Sequence, residues 1–147
     1  MNPTKQTILH DPENGVHGNC FSAVLASLLH LNIEDVPVFV NPNSWRNELN
    51  QWLRQYGLAY VELGDFKDYI EANSIVGLWH ETAGTTTRFD DVLHACVGKD
   101  CEVVFDPRPN ATGLKEITGT GVFISLRPWE FTKANQPSEL IPATTSA

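Results

Sequence analysis

Asn19-Cys20-Phe21-Ser22-Ala23-Val24-Leu25-Ala26-Ser27-Leu28-Leu29 is the stretch from which the fold is read. Phe21, Val24, Leu25, Leu28 and Leu29 fall at i, i+3, i+4, i+7 and i+8, a wide apolar stripe along one helical face. Ala23, Ala26 and Ser27 keep the remaining surface small, as expected of a helix packed on several sides. Asn19 is a natural N-cap, and Pro37 follows the helix end. Residues 11–19, with Asp11-Pro12 and Asn14-Gly15, form a turn-rich loop ahead of it.

Downstream, Trp45, Leu49, Trp52, Leu53 and Tyr56 share one side of a second helix expected over 45–56, with Gly57 as its stop. Residues 58–63 read as a short strand. Residues 66–72 read as a short helix led by Asp65, with Phe66, Tyr69 and Ile70 on one face. The pattern then changes to short β-rich runs at 75–79, 92–97, 101–105 and 122–126, bounded by Gly, Asp and Pro. Gly98-Lys99-Asp100 is a hairpin-length loop between the middle two. Helices first and strands afterwards predict an α+β domain, a helical lobe packed on an antiparallel sheet.

The 147 residues suffice for one domain, expected over 1–131, with a Pro/Ser/Thr/Ala-rich stretch at 132–147 expected to be a flexible tail. Ten Lys and Arg against 18 Asp and Glu leave a formal charge of −8, which disfavours phosphate backbones and acidic membranes. Hydrophobic residues at 41% and charged residues at 19% are the composition of a folded chain. No run approaches the ~20 apolar residues of a spanning helix. The opening residues lack the apolar core of an export signal, so the expected setting is cytoplasmic. The expected partner is a peptide or protein substrate, with no nucleic acid and no membrane; oligomeric state is left open.

Cys20, Cys96 and Cys101 are too few, and odd in number, for a disulfide framework. Cys20 stands apart because it sits in the first turn of the helix, where unpaired N–H groups and the positive dipole end favour an anion. Gly18 before it leaves room for a substrate backbone. A base is at hand in His94, the one histidine of five inside a strand-like apolar run. A strand holds an imidazole rigidly, as proton transfer needs. Asp106, before Pro107, ends the next strand, where its carboxylate can accept the second imidazole N–H and fix the tautomer. Cys…His…Asp in that order is a nucleophile, a base and an orienting acid. Cys96, two residues from His94, shares its face of the strand and reads as a packing residue. A metal site built on His80, His94 and Cys96 has no recognised ligand spacing.

Gly18-Asn19-Cys20-Phe21-Ser22-Ala23 with its helix, His94-Ala95-Cys96-Val97-Gly98, and Val103-Val104-Phe105-Asp106-Pro107 resemble papain-like cysteine peptidases. The likeness is greatest to the bacteriocin-processing (double-glycine) branch, and short bacteriophage proteins are similar in look. The resemblance spans about 6–126. It implies a papain-like fold, an N-terminal helix carrying Cys packed on an antiparallel sheet carrying His and Asp. It also implies hydrolysis or transfer at an amide-type carbonyl without a cofactor. Cys20 matches the nucleophile, His94 the base and Asp106 the orienting acid. That family has a Gln shortly before its Cys as oxyanion donor. Here the nearest preceding Gln is Gln6, 14 positions upstream, which is the residue chosen for that role beside the Cys20 backbone N–H. Asn14 and Asn19 are its rivals. Ala95 departs from the bulky residue that often follows the family's His.

The resulting expectation is a cysteine hydrolase acting on a peptide, isopeptide or other amide bond through a thioester. An acyltransferase or amidase on the same fold is the near alternative. A non-catalytic acidic binding or inhibitor protein is the alternative from a different class.

Overall fold

Helix α1 spans Cys20–Leu29, and its all-round burial follows from its composition. Ala23, Val24, Leu25 and Ala26 are fully buried. Leu25 and Ala26 join Leu49, Leu53 and Tyr60 in one apolar cluster, while Val24 joins Ala95 and Val97 in another. The small residues let neighbours approach on both sides. The helix ends at His30, in the left-handed region at φ 58°, whose N–H donates to the Ala26 carbonyl. The computed structural model describes residues 1–88 and 92–131; the expected tail at 132–147 lies outside the described residues.

Asn19 occupies the N-cap position but makes no capping hydrogen bond. Its Oδ1 accepts instead from the Thr7 N–H at 3.0 Å and the Ile8 N–H at 2.9 Å, and its Nδ2 donates to Thr7 Oγ1 at 2.9 Å. A buried amide serves an incoming chain segment as readily as a helix end, and here the segment wins.

Helix α2 covers Trp45–Leu53, and its last turn tightens to a 3₁₀ turn over Arg54–Tyr56 before Gly57 stops it at φ 67°. Helix α3 is Lys67–Ala72, with the Asp65 carboxylate accepting the Lys67 N–H at 3.2 Å. Ile70 is buried, whereas Tyr69 is 64% exposed and does not share its face. Phe66 precedes the helix, so helical spacing does not direct its ring, which packs edge-on against His80.

Five strands make one open antiparallel sheet: β1 (Leu58–Leu63), β2 (Trp79–Thr85), β3 (His94–Lys99), β4 (Glu102–Phe105) and β5 (Glu116–Ser125). Their spatial order is β1-β5-β2-β3-β4. The chain is therefore α+β, with α1 and α2 on the sheet. The run at 75–78 is not strand. Gly77 lies at φ 81°, and the Asp100 carboxylate takes the N–H groups of Gly77 and Leu78 at 3.0 and 2.7 Å, so the chain turns there before β2 begins. His80 consequently sits near the start of β2 and is buried.

The β3–β4 hairpin turns two residues later than expected. Lys99 pairs with Glu102, and Asp100 and Cys101 form the turn at φ 50° and 69°. Two consecutive positive φ values match the twist of a two-residue hairpin. Gly98 remains in β3 because a Cβ there would come within 2.2 Å of the His80 ring. Among the described residues no helix is long and apolar enough to cross a membrane.

Candidate active site

Three pieces of chain converge at the N-terminal end of α1. The helix brings Cys20. Strand β3 begins with His94, and β4 ends one residue before Asp106. His94 Nε2 and Asp106 Oδ1 are 2.7 Å apart, with both side chains mostly buried. The carboxylate is held in turn by the Arg108 N–H at 2.9 Å on Oδ1 and the Gly113 N–H at 3.1 Å on Oδ2. Asp-Pro ends the strand, and the chain curls back to present those two N–H groups. That makes the acid a fixed point for the imidazole.

With Nε2 engaged by Asp106, the ring's other nitrogen is Nδ1. Cys20 lines the same small pocket as His94, and Cys96 Sγ lies within 4.8 Å of a His94 ring nitrogen. Burial would lower the basicity of His94, but its bond to Asp106 and the nearby thiols of Cys20 and Cys96 outweigh burial and raise its pKa. Asp106 moves oppositely: burial raises it, and the His94 bond with the two backbone N–H groups brings it below the ordinary carboxylate value. Both shifts favour imidazolium beside carboxylate. Cys96 is fully buried, and burial pushes its thiol up against the pull of His94.

The first segment of the chain walls the site. The Gln6 N–H donates to the Pro107 carbonyl at 2.9 Å, and Lys5 Nζ donates to the carbonyls of Asp106 and Arg108 at 3.0 Å each. Thus Gln6, remote in sequence, lines a small 40 Å³ pocket together with Cys20 and His94. Its Nε2 donates to the Ile8 carbonyl at 2.9 Å, which fixes the orientation of the amide. Asn19 is committed to Thr7 and Ile8, and Asn14 is bound to Asp11 at the surface, 2.7 Å away. The space beside Gly18 is filled by the chain itself: a Cβ would lie 2.8 Å from the His10 backbone nitrogen. The expected room for a substrate backbone is not what that glycine provides.

A second, larger cleft of about 460 Å³ is also lined by Cys20, together with residues of α1, the 38–45 segment and the sheet. Phe21, Val38, Phe39 and Trp45 form apolar walls, and Glu81 lies in its lining. Of the polar stretch at 84–91 ahead of His94, Gly84 and Thr85 belong to β2, and residues 89–91 lie outside the described residues.

Ligand atoms of His94, Cys96 and Asp106 lie within 4.8 Å of one another. A metal held there would have to displace the 2.7 Å bond between His94 and Asp106. His80 has no part in that cluster: Nδ1 donates to the Glu81 carbonyl at 3.2 Å, and Nε2 accepts the Cys101 N–H at 3.0 Å. Glu81 is a cleft residue that sequence reasoning missed, because it lies beyond the run expected as strand at 75–79 and its burial has no local signature. No protein-family model, no curated protein and no solved structure matches this chain.

Proposed function

We propose that this protein is a cysteine hydrolase of the papain-like type, cleaving a peptide, isopeptide or other amide bond through a Cys20 thioester. The observation that carries the reading is the 2.7 Å bond of His94 to Asp106 in the same small pocket as Cys20, with the thiol at a helix N-terminus and beside a larger cleft. Those are the parts a thiol nucleophile requires.

In this mechanism the Cys20 thiolate, paired with the His94 imidazolium, attacks the substrate carbonyl carbon. A C–S bond forms and the carbonyl π pair moves to oxygen. The Cys20 backbone N–H and the second Nε2–H of Gln6 receive that oxyanion. The C–N bond breaks as the imidazolium Nδ1–H passes to the departing amine. Neutral His94 then takes a proton from water, whose oxygen attacks the thioester. Collapse breaks the C–S bond, releases the acid and restores thiolate and imidazolium. Asp106 stays ionised throughout and keeps the Nε2–H tautomer in place.

The test combines labelling with turnover. Iodoacetamide followed by peptide mapping is expected to modify Cys20 first, and His94→Ala is expected to slow that reaction. A peptide-library cleavage assay with wild type and Cys20→Ala identifies the substrate. Three equally sluggish thiols together with no cleavage would overturn the proposal and favour a binding protein.

A further inference from the structure

The larger cleft carries a charge pattern that the thiol chemistry does not use. Its lining contains two carboxylates, Glu62 and Glu81, and no Lys or Arg among the described residues. Glu62 is already matched, since its carboxylate pairs with Arg46, whose guanidinium lies 4.4 Å over the Trp45 ring. Glu81 is different. It is 4% exposed and has no ion-pair partner among the described residues. A buried carboxylate without a counter-charge is costly, so its retention calls for a reason.

The sheet is built around it. Glu62 on β1 and Glu81 on β2 both register with Gly121 on the intervening β5. With no side chain at Gly121, the Tyr60 ring crosses the middle strand, and a Cβ there would come within 2.1 Å of the ring. The Tyr60 hydroxyl then donates to Glu81 Oε2 at 3.0 Å. The carboxylate is thereby fixed in the lining of a cleft that also carries Phe21, Val38, Phe39 and Trp45. A cleft with apolar walls and an anchored carboxylate fits a long apolar stem with a cationic tip.

We infer that this cleft is a subsite for a Lys or Arg side chain of the substrate, with Glu81 as the specificity-determining residue. The inference rests on the thiol-hydrolase reading for its place in a reaction, and on the cleft alone for its binding chemistry. Burial pushes the Glu81 carboxyl up to about 7, against the pull of the Tyr60 hydroxyl, so an arriving cation also supplies the charge that keeps it ionised.

Two measurements separate this inference from the reading beneath it. The first compares Cys20 alkylation by matched chloromethyl ketones carrying lysine or the uncharged isostere norleucine. The lysine probe is expected to react about tenfold faster in wild type, and the ratio to fall to about one in Glu81→Gln, which keeps an acceptor for Tyr60. Glu62→Gln is expected to keep most of the preference. A ratio near one in wild type overturns the subsite, whatever the variants do. The second uses Cys20→Ser and reads equilibrium binding of N-acetyl-lysine methylamide against N-acetyl-norleucine methylamide by NMR. Lysine-selective shifts at cleft residues uphold the subsite even if Cys20 proves unreactive, in which case only the catalytic reading falls. Equal binding of the two amides overturns the subsite even if Cys20 is reactive.

Discussion

The Asn19 carboxamide accepts the Ile8 N–H at 2.9 Å, and so the residue that opens α1 holds the first segment of the chain and not the helix. The backbone N–H groups of the first helical turn are left without a side-chain cap beside the Cys20 thiol. An anion at that end is favoured for the usual reason, the concentration of unpaired donors there.

Replacing Asn19 by Ala removes three hydrogen bonds and strands the N–H groups of Thr7 and Ile8 in a partly buried setting. The expected loss is about 2–4 kcal/mol, read as a lower urea midpoint at unchanged m-value. A loss within a few tenths would show that this anchor is not what holds the segment.

Asp106→Asn keeps shape but removes the charge that sustains the His94 imidazolium. His94 is raised from its ordinary 6.5, so its contribution is full below that pH and fades as pH rises through the folded value. Asp106 is lowered from 3.8, so its contribution is full above that pH and fades as acid is added. The stability gap between wild type and Asp106→Asn is therefore widest between roughly pH 4 and 6.5, at about 3 kcal/mol. Denaturant titrations across pH 3–10 check it, and a gap flat with pH would contradict the linkage.

The same substitution bears on reactivity. Without the carboxylate, His94 loses the bond that fixes its tautomer. Cys20 alkylation at pH 7 is expected to slow by roughly tenfold or more, with the upper limb of its pH profile moving to lower pH. Stopped iodoacetamide reactions followed by intact mass give both quantities.

Glu81 works in the opposite sense to Asp106. Its folded pKa, raised from 4.5 to about 7, means that the native state keeps a proton the unfolded chain gives up. Stability is then lost as pH rises from 4.5 towards 7, by up to about 3 kcal/mol. Glu81→Gln should accordingly raise Tm relative to wild type more at pH 8 than at pH 5. An equal change at both values would place Glu81 in water.

Gly98→Ala puts a methyl 2.2 Å from the ring of the buried His80. The overpacking is expected to cost about 1–3 kcal/mol, with disturbed His80 ring resonances in NMR spectra. A silent substitution would mean that the ring moves aside freely.

What could be read without coordinates was local. The stripe from Phe21 to Leu29 specified α1, and Asp-Pro specified the end of β4 just before Asp106. The positions of Cys20, His94 and Asp106 relative to one another were inferred from order alone, and the structure brings the three together. Gly98 misled because glycine serves turns and close packing equally, and only the distant His80 decides which. Asp100 and Cys101 carry the turn although a cysteine at positive φ has no local signature. The insertion of β5 between β1 and β2 is a non-local pairing that no window of sequence contains. Glu81 was missed for the same reason, since its burial depends on Tyr60 reaching across Gly121.

Residues 2–8 tie the two halves of the site to each other. Asn2 and Thr4 bond to Ser27 on the helix, while Lys5 and Gln6 bond to the carbonyls of 106–108 beyond β4. None of residues 2–8 belongs to the apolar core clusters, so the strap can peel away at a free energy well below that of global unfolding. Gentle warming should then silence the thiol while the circular dichroism is still that of the native protein, and cooling should restore it.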